Sequence, residues 1–489
     1  MLMTLIQKEI MHHILSVRFV ALLLMCLLLI PLTLSIGYRN YQQNLVDYQE
    51  TVKLANIEEA KMNPKMGLKP ELEVSKLFLK PAPLSVFANG LGDALPSYLG
   101  MTRNGITQGA PALVSDSLSY LLGHLDFLFL VGTVFSLLAL LFTFDAVAGE
   151  REAGTLRITL SNSLPRDLFL WSKLIGGYLV FVVPFLVSLL FGLLVLVWQG
   201  FPLGEPEIFP RVMSLIVVSL LYIGVFFAIG TVISTYLDNS KTALILAFTV
   251  WVFAVLITPR VGFLAAKFIA PTQTLQSVYL EKTALRENFN AELEEKKQKI
   301  HDEFWKSRSK NQPQPTSTSE ADIEKTLEAH FASGFGPTKE LDKKVEPLEE
   351  EFRQKFKEGA DEIERRYKRE KARQEAVGEI LSRITPTSSL IYLTTNLTQT
   401  GKAKRDNYFQ TGDRYYDALD TDWFSKVVDH VSMRIVAAYD TVQMTQPPPL
   451  ETTTLGETLG QSMVDILLLC FFAVVLTTGA FLKFFRSDI

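Results

Sequence analysis

The sequence predicts an all-α polytopic membrane protein: six transmembrane helices, both termini cytoplasmic, and a helical-hairpin-rich extracytoplasmic domain. Hydrophobic residues make up 48% of the 489, and they gather into six blocks instead of spreading evenly. Each block approaches the ~20 residues that cross a hydrocarbon core ~30 Å thick. The central turns of all six lack Asp, Glu, Lys and Arg, consistent with the ~2.5–3.5 kcal/mol that a mid-bilayer charge costs on insertion scales. Between the fifth and sixth blocks, residues 262–462 carry a highly charged centre of helical period. A soluble protein can imitate one such block with a buried helix, but not six.

Residues 1–18 precede the first block. Leu2, Leu5, Ile6, Ile10, His13, Ile14 and Val17 recur at three- and four-residue spacings, with Lys8, Glu9, His12 and Arg18 elsewhere on the wheel. That pattern fits a helix lying in the inner interface, and a simple positional anchor explains it as well as a functional role does. The first span, 19–36, lacks a small-residue cleavage site and reads as a retained signal anchor. The first extracytoplasmic insertion, 37–124, opens as a helix continuing from that span through Leu45, Tyr48, Val52 and Ile57. Pro64, Pro70, Pro81, Pro83 and Pro96 then break it into a turn-rich unit.

The second span is 125–144, and a charged turn and short helix at 145–170 leads to the third, 171–198. Spans four and five are 212–236 and 243–261, and the sixth, 463–482, follows the second extracytoplasmic insertion. Lys and Arg near span ends orient the whole. Lys8, Arg18, Arg151, Arg157, Arg166, Lys173, Lys241, Lys483 and Arg486 fall on one side, which is therefore cytoplasmic. Arg39, Arg260 and Lys267 are exceptions on the other side. Pro31 and Pro184 are candidate kinks within spans.

In the second insertion, Leu285, Phe289, Leu293, Ile300 and Phe304 mark one helical stripe. Leu341, Val345, Leu348, Phe352, Phe356, Ile363 and Tyr367 mark a second that runs on to Ile380. Pro313 and Pro315 interrupt between them, a short helix is expected near Ile323, Leu327 and Phe331, and Gly334, Gly336 and Pro337 break the chain again. An antiparallel hairpin is the simplest arrangement, each arm rising about 60 Å at ~1.5 Å per residue. Most of its charges read as a solvated face; its length suggests reach toward another protein. From Pro386 to Tyr416 the composition turns to Thr, Asn, Tyr and Gly, expected to pack near the outer membrane surface, and Pro447–Pro449 makes a stiff entry to the last span. No internal duplication is visible.

Catalytic chemistry is hard to find. Cys26 and Cys470 both lie in apolar blocks and offer neither a disulfide framework nor a metal site. The histidines show no metal-ligand spacing, and no GxxxxGK[ST], HExxH or GxSxG run occurs. The net charge of −4 selects no partner, and no basic patch with interleaved aromatics points to nucleic acid. Asp126 and Asp465, near the outer ends of spans two and six, are candidate polar sites expected to face each other across the outer leaflet.

The most specific segment follows the second span: Phe144, Asp145, then Gly149-Glu150-Arg151-Glu152 and Gly154-Thr155-Leu156-Arg157. Its charges can make charge-assisted contacts with a soluble partner, and its glycines permit close backbone approach. The run Phe144–Leu179, with Pro165, Arg166 and Lys173, resembles the segment joining spans two and three of type-2 ATP-binding-cassette (ABC) permeases. In that family it forms a coupling helix seated in a cleft of a partner ATPase. The span count and the interfacial helix agree. Pro81–Pro96 and Thr385–Leu393 resemble a subclass with two large external insertions, whose relatives are linked to multicopper-enzyme maturation and gliding machinery. The central hairpin, from Arg286 to about Ser382, matches nothing of use.

The resemblance implies a non-catalytic permease subunit of an export, extraction or mechanotransmission complex in the inner membrane of a bacterium. Two permeases, identical or not, would join two ATPase subunits that bind ATP and Mg, with no cofactor in this chain; the reach of the hairpin, not the resemblance, suggests an envelope partner there. The other reading is a membrane-anchored scaffold or receptor whose hairpin binds an envelope protein without ATP coupling. It expects function to be indifferent to Glu150→Ala with Arg151→Ala. Cargo identity, and whether there is any cargo, is not written in apolar helix faces.

Overall fold

A computed structural model of the chain describes residues 2–61, 73–102, 105–111, 125–161, 165–311, 336–424 and 445–486. The breaks at Pro64, Pro70, Pro313 and Pro315 and the short helix expected near Ile323, Leu327 and Phe331 lie outside the described residues. Two compact units emerge, one drawn from Met1–Gly262, Ile380–Lys426 and Ala438–Ile489, the other from Phe263–Glu379 and Val427–Ala437.

Among the described residues, six helical stretches are long and apolar enough to cross a bilayer: Val17–Asn56, Phe127–Glu152, Arg166–Trp198, Ile208–Tyr236, Ser240–Ile269 and Met463–Arg486. They are called spans 1 to 6 below, span 2 being taken to end at Thr143, where its helix breaks. In front of them lies α1, Leu2–Ile14. Apolar side chains gain little by leaving lipid for one another, so packing and small residues decide which spans meet. Phe135 of span 2 stands edge-on to Phe185 of span 3 at 5.2 Å, and Phe181 stands edge-on to Phe142 and Phe227 at 5.6 and 5.4 Å. Such pairs contribute about 0.5–1.5 kcal/mol each beyond burial. A Cβ placed on Gly230 of span 4 would overlap Thr143 Oγ1 of span 2, whose hydroxyl donates to Ala139 O at 3.0 Å. Gly230→Leu is therefore expected to push these spans apart and cost about 1–3 kcal/mol, read as a lower Tm in detergent.

Proline does not place the helical irregularities. Pro31 and Pro184 lie inside continuous helix. The wider π turns are at Leu130–Phe135 in span 2 and Val252–Ile257 in span 5. Beside them, Trp251 Nε1 donates to Ser136 Oγ at 2.9 Å, and Ser136 donates to Gly132 O at 2.7 Å. The extra residue of a π turn frees carbonyls that such hydroxyls bond.

The first insertion adds a small antiparallel sheet that an all-α reading passes over: β1 Ser75–Phe78, β2 Tyr98–Thr102 and β3 Gly105–Gln108, in that order. Strands this short carry too few alternations to be read from period alone. Between β1 and β2 the chain dips back, and Phe87 stands edge-on to Phe127 at the head of span 2, 5.8 Å apart.

The Thr/Asn/Tyr-rich stretch begins as a helix labelled α6, Pro386–Leu397, packed between spans 4 and 6. Leu390, Leu393 and Leu397 are buried, as are Thr387, Ser388 and Ser389. At 12 residues it is too short to cross, yet Thr387 Oγ1 lies 3.1 Å from the Tyr222 hydroxyl, about 21 Å along span 4 from Ile208. Hydroxyls let the helix enter this apolar setting because Thr395 and Thr398 bond back to Ile391 and Thr394 carbonyls. The chain then continues as α7, Lys402–Leu419, and re-enters through α8, Leu455–Gln461, which Thr454 and Glu457 close with a capping box.

The second unit is built on two long helices, α4 Leu275–Asn311 and α5 Gly336–Ser382, of 37 and 47 residues, or about 55 and 70 Å. Pairing runs antiparallel. Lys282 meets Glu364 at 2.8 Å and Arg366 meets Glu281 at 2.5 Å near one end, and Lys297 meets Glu349 farther along. Phe304, Phe352 and Ile363 are buried, and Phe289 stands edge-on to Phe352. The stripe expected from period is the seam.

Candidate functional site

The segment between spans 2 and 3 begins at Phe144–Val147, where a turn interrupts the helix. Ser234 of span 4 holds that turn: its hydroxyl accepts from Val147 N at 2.9 Å and Ala148 N at 3.0 Å. Two short helices follow, α2 Ala148–Glu152 and α3 Thr155–Ser161. Gly154 joins them at φ +72°, in the left-handed region that a side chain enters at a cost of roughly 1–2 kcal/mol. Nothing lies within 4 Å of a Cβ built there, so Gly154→Ala tests backbone strain without a clash. Its expected result is a loss of about 1 kcal/mol, seen as faster proteolysis confined to this segment.

Most charges of this segment are tied to neighbouring elements. Asp145 forms a two-pronged pair with Arg18 at the head of span 1, at 2.8 and 3.0 Å. Glu150 accepts from Lys173 of span 3 at 2.7 Å and from the Thr155 hydroxyl at 2.5 Å. The same ammonium meets Glu9 of α1 at 3.0 Å, and Lys173 and Glu9 are buried, at 8% and 5% exposure. Arg151 pairs with Asp238 at 2.5 Å, and Glu152 accepts from Ser240 N at 2.9 Å, both in the link between spans 4 and 5. Leu156 is buried among Val147, Phe169, Leu170, Ala480 and Phe484, a cluster drawn from spans 3 and 6. Beside it, Phe169 stacks on Phe484 at 5.7 Å and Arg166 donates to Phe485 O at 3.0 Å.

One short segment is thus tied to spans 1, 3, 4 and 6 and to the link between spans 4 and 5, and through Lys173 to α1. Its remaining surface is Glu152, Ala153, Gly154, Thr155, Arg157 and Ile158, all exposed, with Ile158 at 67%. The nine residues singled out from the sequence share this segment but divide into two roles. Asp145, Glu150, Arg151 and Leu156 fasten it, Gly149 packs beside Asp145 and Ser240, and Glu152, Gly154, Thr155 and Arg157 remain outward. The fasteners Glu9, Arg18, Lys173, Ser234 and Asp238 were not anticipated, nor was Ile158. A usable signal existed for Lys173, since an ammonium inside an apolar block demands a partner. No such signal marks Ile158, because an exposed and a buried isoleucine look alike in sequence.

Asp126 and Asp465 do separate work. Asp126 caps span 2, accepting from Phe129 N at 2.8 Å, and also takes Asn89 N at 3.2 Å. Asp465, 1% exposed, meets Arg383 at 2.8 and 3.2 Å, and the Arg383 guanidinium lies over the Tyr392 ring. Each is a structural tie to the first or second insertion. Among the described residues, no group of three or more His, Cys, Asp or Glu could hold a metal.

Comparison with known proteins gives the family. Over residues 3–489 the chain matches a family described as ABC-2 family transporter protein. The probable ABC transporter permease protein NosY of Stutzerimonas stutzeri is 30% identical over 190 residues, which are 38% of this chain and 60% of that protein.

Proposed function

Because this chain belongs to the ABC-2 transporter family, whose members are membrane-spanning permease subunits, we propose that its exposed face at Glu152–Ile158 is gripped by a separate ATPase. That partner binds ATP and Mg and performs the hydrolysis; this chain supplies movement. The carrying observation is the tie of one short segment to α1 and to spans 1, 3, 4 and 6. A push on Ile158 and Arg157 is therefore delivered to several helices at once, as a rigid-body shift and not a bending loop.

In this reading both termini and the α2–α3 segment are cytoplasmic, and the two insertions lie outside the inner membrane of a bacterium. Two permeases assemble with two ATPases, and the α4–α5 hairpin meets an envelope partner, which receives cargo or force. The test is purification of the complex from native membranes in mild detergent. An ATPase chain recovered in equal amount with the permease is the expected result; a permease that emerges without one in repeated trials contradicts it.

A further inference from the structure

Within the first unit, away from the docking segment, a cavity of about 1400 Å³ opens beside a smaller one of about 200 Å³, and Lys80 and Lys404 line both. Tyr48 of the span 1 helix, Phe78 of β1 and Pro448 form apolar parts of the large cavity's wall. Arg211 lies in its floor at 1% exposure, but that guanidinium is already engaged. It donates to Leu397 O at 3.1 Å, to Thr458 Oγ1 at 3.3 Å and to Thr453 O, so it braces the floor.

The lysines are different. Lys404 Nζ donates to Lys80 O at 3.1 Å, and among the described residues no carboxylate pairs with it. Burial, with the Lys80 charge added, pushes the Lys404 amine down to about 8. Lys404 is half-buried and Lys80 exposed beside it, and like charges held this close are costly without a counter-charge. Of the acids that line the two cavities, Glu207 sits 3.6 Å from Arg211, and Glu205, Glu451, Asp47 and Asp93 form no ion pair with either lysine among the described residues. The first turn of α7, which carries Lys404, has no side-chain cap, so its backbone N–H groups add to the positive field.

We propose that this cavity binds an anionic amphiphile, its phosphate or carboxylate head on Lys404 and Lys80 and its apolar body against Tyr48, Phe78 and Pro448. The chemistry follows from the two walls: cations that pair with no carboxylate among the described residues on one, aromatic and proline surface on the other. A free inorganic anion would use only the first.

The whole protein in nanodiscs is titrated by calorimetry with dihexanoyl-phosphatidylglycerol, dihexanoyl-phosphatidylcholine and inorganic phosphate. The expected result is saturable binding of the glycerol lipid, at least ~10-fold tighter than its zwitterionic counterpart of equal tails, and also tighter than phosphate. Lys404→Ala and Lys80→Ala each weaken it by ~10-fold or more, about 1.4 kcal/mol, while Lys404→Arg retains it. Equal affinity for the two lipids, or phosphate binding as tightly as the anionic lipid, overturns the proposal. Because the wild-type comparison needs no variant, a misfolded alanine protein leaves the decision intact.

Discussion

Replacing Lys173 with Met is expected to be the most damaging single change near the docking segment, costing about 3–5 kcal/mol. The ammonium lies between Glu9 at 3.0 Å and Glu150 at 2.7 Å, and one oxygen of Glu9 already lacks a hydrogen-bond partner among the described residues. Removing the cation leaves two carboxylates facing each other, and Glu9 has almost no access to water. Methionine fills the volume of the lysine stem, so packing loss contributes little and electrostatics dominates. Two readouts follow: a lower Tm, and trypsin cleavage at Arg151 or Arg157 that wild type resists. Adding Glu9→Gln and Glu150→Gln to Lys173→Met is expected to recover most of the loss, because a neutral trio leaves no unpaired charge. If the single and triple variants melt alike, the ion triad is not what holds this segment.

The second large effect is on association. Ile158→Glu is expected to weaken ATPase binding at least ~10-fold, because an apolar contact becomes an unpaired charge in an interface. At 67% exposure the side chain touches little of its own protein, so insertion and Tm should remain those of wild type, and Ile158→Leu should bind normally. Affinity is read by titrating labelled ATPase onto permease in nanodiscs. The choice of position matters. Alanines at Glu150 and Arg151, the test that the sequence suggests, would cut the ties to Lys173 and Asp238 and so confuse unfastening with undocking.

Much of the membrane scaffold was legible, and the reason is physical. A bilayer punishes charge over ~20 residues at a time, so each span writes itself as a long block. The α4–α5 seam was legible for a related reason, since Phe289, Phe304, Phe352 and Ile363 keep one face over many turns. What escaped was short or relational. α6 is 12 residues rich in Ser and Thr, and nothing local says that Thr387 meets Tyr222, 165 residues away. At the proposed docking segment the residue types were visible, but their direction was not. Glu150 and Glu152 are two apart in one helical turn, and only the fold shows that one points to Lys173 and the other to the backbone of Ser240.

Introducing a photo-crosslinking residue at position 158 in intact cells probes the docking face most directly. The two native cysteines, Cys26 buried and Cys470 within span 6, leave room for a parallel Ile158→Cys variant treated with a membrane-impermeant maleimide. Brief illumination is expected to give one major adduct whose added mass is that of a nucleotide-binding ATPase, with position 158 shielded from reagent applied outside. No ATPase adduct, together with labelling of the cysteine from the cell exterior, would mean that the fastened segment faces the wrong compartment and grips no motor.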